Sequence, residues 1–176
     1  MYTIEKKECT ISVPKYVKDY VNVAEFLEYC KECKNYDKVW SCPSYDFNPE
    51  DYWKEYKEFV VIARKIIFSK DVDEQGSYEI MMEVKEDMTR ELYEMEKQFP
   101  GSVSLSAGSC SMCREEGCTR SHGKPCRHPQ LMRYSIESLG GNVGLTVSKL
   151  MGYELEWVED GKVPTYFVLV GGLLKK

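Results

Sequence analysis

From Phe59 to Ser69 the chain runs Phe-Val-Val-Ile-Ala-Arg-Lys-Ile-Ile-Phe-Ser, an apolar, β-branched stretch of strand length that closes in the turn-like Asp71-Val-Asp-Glu-Gln-Gly76. From Ser77 to Phe99 the period changes. Met81, Val84, Met88, Leu92, Met95 and Phe99 recur every three or four residues, which predicts one face of an amphipathic helix terminated by Pro100-Gly101. Val103 and Leu105 then alternate with serines between Ser102 and Ala107, a short strand, giving a βαβ unit with a right-handed crossover. Upstream, Thr3 to Val13 also reads as a strand. Downstream, Pro129 to Leu139 reads as a helix stopped by Gly140-Gly141, and Asn142 is placed to cap a second helix, Val143 to Met151, ended by Gly152. Tyr153 to Val158 and Thr165 to Leu174 read as strands, with Asp160-Gly161 as a hairpin signal between them. These elements predict an α/β (or α+β) sandwich whose sheet is covered mainly on one face.

At 176 residues, 43% of them hydrophobic, the chain suits one compact domain spanning residues 1–176. A charged fraction of 30% with 12 Gly and 7 Pro is neither core-starved nor of low complexity. No apolar run approaches the roughly 18 residues of a membrane span, and the first residues show no signal-peptide pattern. A cytoplasmic protein without a membrane partner is expected. The net charge of −5 argues against nucleic-acid binding, yet residues 110–134 carry Arg114, Arg120, Lys124, Arg127 and Arg133 against only Glu115 and Glu116. Both histidines, His122 and His128, lie in the same stretch.

The eight cysteines change the picture most, because seven fall into two groups. Cys110-x2-Cys113-x4-Cys118-x7-Cys126 places four thiols in one loop (108–129), and Cys30-x2-Cys33-x8-Cys42 places three in another (30–45). A C-x-x-C pair lets two thiolates reach one metal from a single turn, and two further sulfurs complete a tetrahedral site or the corners of an iron–sulfur cluster. Buried structural thiols and a thioredoxin-type redox pair are the alternatives, but a single dithiol leaves five grouped cysteines without a role. Single cysteines strung after one C-x-x-C follow the manner of cluster-binding runs, and Cys42-Pro43 repeats the Cys-Pro ending of ferredoxin-type runs. The spacing therefore favours a cluster, a [4Fe–4S] centre, with zinc as the alternative.

The first group lacks one ligand. Either Cys9 joins it, or a position is left open for substrate as in a catalytic metal site, or a non-protein ligand fills it. Arg127 and His128 directly follow Cys126 and are placed to offset the net negative charge of a thiolate-bound cluster; His128 is also a possible zinc ligand. Trp40 belongs to an aromatic-rich segment with Tyr29, Tyr36, Tyr45, Phe47, Tyr52, Trp53 and Tyr56, whose rings either shield a cluster from water or simply pack a core. Glu137 lies roughly two helical turns beyond the second loop, where it either faces the metal or stays on an exposed helix surface. No phosphate-cradling Gly loop, Gly-x-Ser-x-Gly elbow or His-Glu-x-x-His helix supports an enzyme assignment.

Cys30-Lys-Glu-Cys33, Tyr36, Val39-Trp-Ser-Cys-Pro43, and Pro125-Cys-Arg-His-Pro129 running into Tyr134-Ser-Ile-Glu-Ser-Leu-Gly140 resemble a family of cysteine-rich predicted metal-binding proteins common in anaerobic bacteria and archaea. The resemblance spans about residues 25 to 172, departing at Ser44, where a second proline is usual, and in a lengthened loop Arg114-Glu-Glu-Gly117. It implies a cytosolic metal or cluster binder without specifying a reaction. The readings carried forward are an iron–sulfur protein that transfers electrons to a redox partner protein or serves as a redox accessory, a zinc-stabilised interaction module, and a metalloenzyme with an open position at Cys30, Cys33 and Cys42.

Overall fold

The sheet is held by its second strand. In the computed structural model, which describes residues 1–156 and 163–176, β2 (Glu58–Phe68) is paired antiparallel on one side with β1 (Tyr2–Ser12) and on the other with β4 (Tyr166–Lys175). The short β3 (Val103–Leu105) adds antiparallel to β4, giving the order β1-β2-β4-β3. Strands β2 and β3 thus run parallel, as a βαβ unit requires, but β4 is inserted between them and every pairing is antiparallel. The fold is α+β.

Successive residues of β2 explain why the sheet is covered on both faces rather than mainly on one. Phe59, Val61 and Ala63 point into a core with Tyr16, Trp53, Ile136, Leu139 and Val147. Val60 and Ile62, on the opposite face, pack with Met88 and Leu92 of the long helix α4 (Glu74–Gln98). A strand apolar at every position is buried on both sides, unlike one that alternates. Gly171 and Gly172 in β4 are required by close approach: a Cβ on Gly172 would run into the Val60 carbonyl, and one on Gly171 into that of Leu105.

Around this sheet the first core is roofed by α1 (Val13–Tyr20), α3 (Pro49–Lys54) and α5 (Val143–Met151), with α2 (Val23–Lys31) beyond α1. Tyr16 of α1 is fully buried, and its hydroxyl and that of Thr146 in α5 are 2.8 Å apart. Asn142 caps α5 through its side chain, accepting from the Leu145 amide, and Gly152 ends it in a left-handed conformation. Both ends follow the sequence signals.

Residues 129–139, by contrast, form no α-helix. The Ser106 amide donates to the Tyr134 carbonyl at 2.8 Å and Ser106 bridges Ser135, so this segment runs alongside the end of β3. The Ser135 and Ser138 hydroxyls then accept each other's amides, and only a 3₁₀ turn, Glu137–Leu139, remains before Gly140. Serine side chains that bond to nearby backbone compete with the helical ladder. Tyr153 to Glu156 likewise carries no strand, while the rest of that expected strand and the Asp160-Gly161 hairpin lie outside the described residues. No described helix is long and apolar enough to cross a membrane.

Candidate metal centre

The first cysteine group grows from the end of α2. Cys30 sits in its last turn, and the Cys33 amide donates to the Cys30 carbonyl at 3.0 Å, so the C-x-x-C pair shares one turn. The Tyr36 amide bonds to the Cys33 carbonyl and the Cys42 amide to that of Val39, which folds the chain back before Pro43. Burial pushes the Cys42 thiol up to about 11 and raises that of Cys30; Cys33 is exposed. Cys9 stays on β1 opposite Val61, packed against the first core; it lines neither the cavity of the second cysteine group nor the one beside Cys30, and nor do Cys33 and Cys42.

The second group follows β3 directly. Cys118 precedes a 3₁₀ turn, Thr119–His122, and the buried Thr119 hydroxyl donates to the Pro125 carbonyl at 2.8 Å, which draws Cys126 back towards Cys118. Arg127 is exposed and bonded to the Gly117 carbonyl at 2.7 Å, bracing the loop from outside. Cys110, Cys113, Cys118 and Cys126 all line one cavity of about 610 Å³, together with Trp40 and His128. No group of three His, Cys, Asp or Glu side chains placed to hold a metal ion is found among the described residues; the four thiols line the cavity wall. All eight cysteines are free thiols.

Polar contacts join the two cysteine loops. The Cys110 amide donates to the Ser41 hydroxyl at 2.8 Å, Asn35 to Ser109 at 3.2 Å, and the Trp40 indole N–H to the Lys124 carbonyl at 3.2 Å. Arg120 is the main fastener. Its guanidinium donates to the carbonyls of Val39, Cys42 and Ser44 and to Asp37, and lies 5.2 Å from the centre of the Trp40 ring. Of the aromatic residues flanking the first group, Tyr45, Phe47 and Tyr52 gather around Tyr134, whereas Trp53 is sealed in the core with its N–H on the Leu139 carbonyl.

Lys85, which the sequence did not mark, and Glu137, which it did, both reach the large cavity. Lys85 of α4 is only 8% exposed and donates to the Ser109 carbonyl; burial lowers its pKa, and Cys110 is the nearest counterweight. It lies four residues after Met81 and three before Met88, so a cation on the apolar stripe was the available signal. Glu137, placed by the 3₁₀ turn rather than by a helix, lines the same cavity. Its Oε2 is sealed from solvent, and burial raises its pKa.

An α+β fold that sets four free thiols around one cavity and fastens a second cysteine loop to it has the architecture of a metal-binding protein. The chain belongs to the family described as Predicted metal-binding protein (DUF2284), which matches residues 16–174. No curated protein and no solved structure matches the chain.

Proposed function

We propose that the protein is a cytosolic iron–sulfur protein with an electron-transfer or redox-accessory role, serving a redox partner protein. Cys110, Cys113, Cys118 and Cys126 hold a [4Fe–4S] cluster, and Cys30, Cys33 and Cys42 belong to a second metal centre. The observation that carries this reading is the single cavity of about 610 Å³ lined by all four thiols of the second group. Thiolates on one tetrahedral zinc ion stand about 3.8 Å from one another, given a Zn–S bond of roughly 2.3 Å. A cavity of this volume lined by four thiols suits a multi-atom group held at its corners.

A cluster bound there supplies one-electron redox chemistry. The chain's own residues set its surroundings: Lys85 places a buried cation beside Cys110, and Trp40 and the Tyr45–Tyr134 rings limit water on the side of the first loop. His128 lines the same cavity and favours a second reading, a zinc-stabilised interaction module with mixed Cys/His ligation. Anaerobic reconstitution with iron and sulfide separates the two. Cys113→Ser should abolish the visible chromophore of the cluster, whereas an unchanged spectrum rules that cluster out.

A further inference from the structure

Tyr78, Met81, Met82 and Lys85 of α4 recur at helical spacing on one stripe, and all four line the cavity of about 610 Å³ that the second cysteine group borders. Val143 of α5 and Val168 to Val170 of β4 line it too, while the thiols come from the loop that follows β3. Strand β3 ends at Leu105, opposite Gly172, so β4 continues back to Tyr166 without β3 beside it, and the cavity borders this stretch. The cavity thus has two kinds of wall, one of thiols and one mostly apolar. Its volume lies within the roughly 300–1,000 Å³ of small-molecule sites, which are mainly apolar with a few convergent polar groups.

Lys85 is the charged group of the apolar wall. It is 8% exposed, and its ammonium donates to the Ser109 carbonyl at 2.5 Å, which engages one of its N–H groups and leaves two. Asp87, Glu91, Glu94 and Glu96 of the same helix pair with other cations, and no carboxylate among the described residues forms an ion pair with Lys85. A charge taken out of water requires a partner. Lys34 and Arg114, both exposed, line the same cavity, whereas Glu137 is the one acid among its described lining residues. Burial holds the Glu137 carboxyl towards its protonated form, and it is already hydrogen-bonded to Ser135 and its own backbone. A [4Fe–4S] core with four thiolates carries about −2, so a cluster offsets two of the three cations and leaves one positive charge over.

We infer that this cavity binds a small organic monoanion, its carboxylate held by the two unengaged N–H groups of Lys85 and its apolar body laid against Met81, Met82, Val143 and Val170. Only the charge count rests on the iron–sulfur reading; the buried cation and the apolar wall do not. One buried ammonium beside such a wall matches a singly charged carboxylate with a hydrocarbon body better than a phosphate dianion, which calls for several donors.

The test is calorimetric titration of the anaerobically reconstituted protein with acetate, butyrate and hexanoate, and with hexanamide as the uncharged counterpart. One hexanoate should bind per chain, with affinity rising by up to about fourfold per methylene along the series. Hexanamide should bind roughly tenfold more weakly or worse, and Lys85→Met should weaken hexanoate by about the same factor while iron content is retained. Met81→Trp fills the apolar wall and leaves the cation, so it should weaken hexanoate more than acetate; with the hexanamide comparison it decides the matter even if Lys85→Met fails to fold. Equal binding of hexanoate and hexanamide, an affinity independent of chain length, or a Lys85→Met protein that binds hexanoate like wild type overturns the inference. Absence of hexanoate binding in protein with an intact cluster chromophore also overturns it, leaving Lys85 as a cation for the cluster alone and the proposed function standing. Hexanoate bound through Lys85 in a protein that takes up no iron defeats the proposed function and sustains the pocket.

Discussion

Arg120→Ala is the most informative single perturbation of the scaffold, because one side chain holds the two cysteine loops together. The guanidinium side chain is 11% exposed and donates to three backbone carbonyls, those of Val39, Cys42 and Ser44. Hydrogen bonds from a charged donor contribute about 1.5–3 kcal/mol each, but water can reach some of these carbonyls once the side chain is gone. The Asp37 partner is 62% exposed, so its ion pair contributes under about 1 kcal/mol, and stacking on Trp40 adds a similar amount. A total loss of about 3–5 kcal/mol follows, as for removal of one partner from a buried polar network. For a chain of this size that lowers Tm by roughly 6–20 °C. Lysine has no fork and reaches fewer carbonyls, so Arg120→Lys should recover no more than about half. Urea denaturation under anaerobic, reducing conditions measures these losses, and metal analysis should show both cysteine groups weakened together. An Arg120→Ala protein within about 1 kcal/mol of wild type, or full rescue by lysine, would refute the reasoning.

Other outcomes follow from the same geometry. In metal-free protein, burial raises the Cys42 thiol to about 11 and those of Cys30 and Cys110 in the same direction, so the folded state retains protons that the unfolded chain releases. Stability should be flat below about pH 8.5 and fall between there and pH 11, by on the order of 1–2 kcal/mol for partly buried thiols. Metal-loaded protein should instead weaken as pH falls, because protons compete for the thiolates, and urea midpoints across pH distinguish the two. Lys85→Met removes the cation beside Cys110 and should lower the cluster's reduction potential by the equivalent of about 1 kcal/mol, measured by EPR-monitored titration. Gly172→Ala should cost more than about 3 kcal/mol or prevent folding, whereas Gly144→Ala, in α5 where a Cβ would make only ordinary van der Waals contact with Asn142 and Leu155, should stabilise by about 0.5 kcal/mol; thermal denaturation separates them.

Long, strongly periodic elements were legible in the residues: β2, α4, α5 and β4 lie close to where apolar pattern and caps place them. The first three helices were not, although Pro14, Asn22 and Asn48-Pro49 are cap and first-turn signals, because their aromatic and charged residues obscure the period. Pro129 to Leu139 has helical composition but bonds to Ser106 and to its own serines, a tertiary preference that no local pattern carries. The cysteine groups stood out by spacing alone. What spacing does not convey is how the two loops meet: Ser41 on the Cys110 amide and Arg120 on the first loop's carbonyls are contacts between segments 69 to 81 residues apart. Lys85 was hidden for a related reason, since its importance comes from facing a shared cavity rather than from neighbouring sequence; Glu137 stood out in the residues, but on a helix that the chain replaces with a 3₁₀ turn.

The most direct test of the metal assignment is the ultraviolet–visible spectrum of anaerobically purified protein, with iron, zinc and acid-labile sulfide assayed on the same sample. The account predicts a brown protein with iron and sulfide in similar amounts and little zinc. Colourless protein carrying stoichiometric zinc would contradict it.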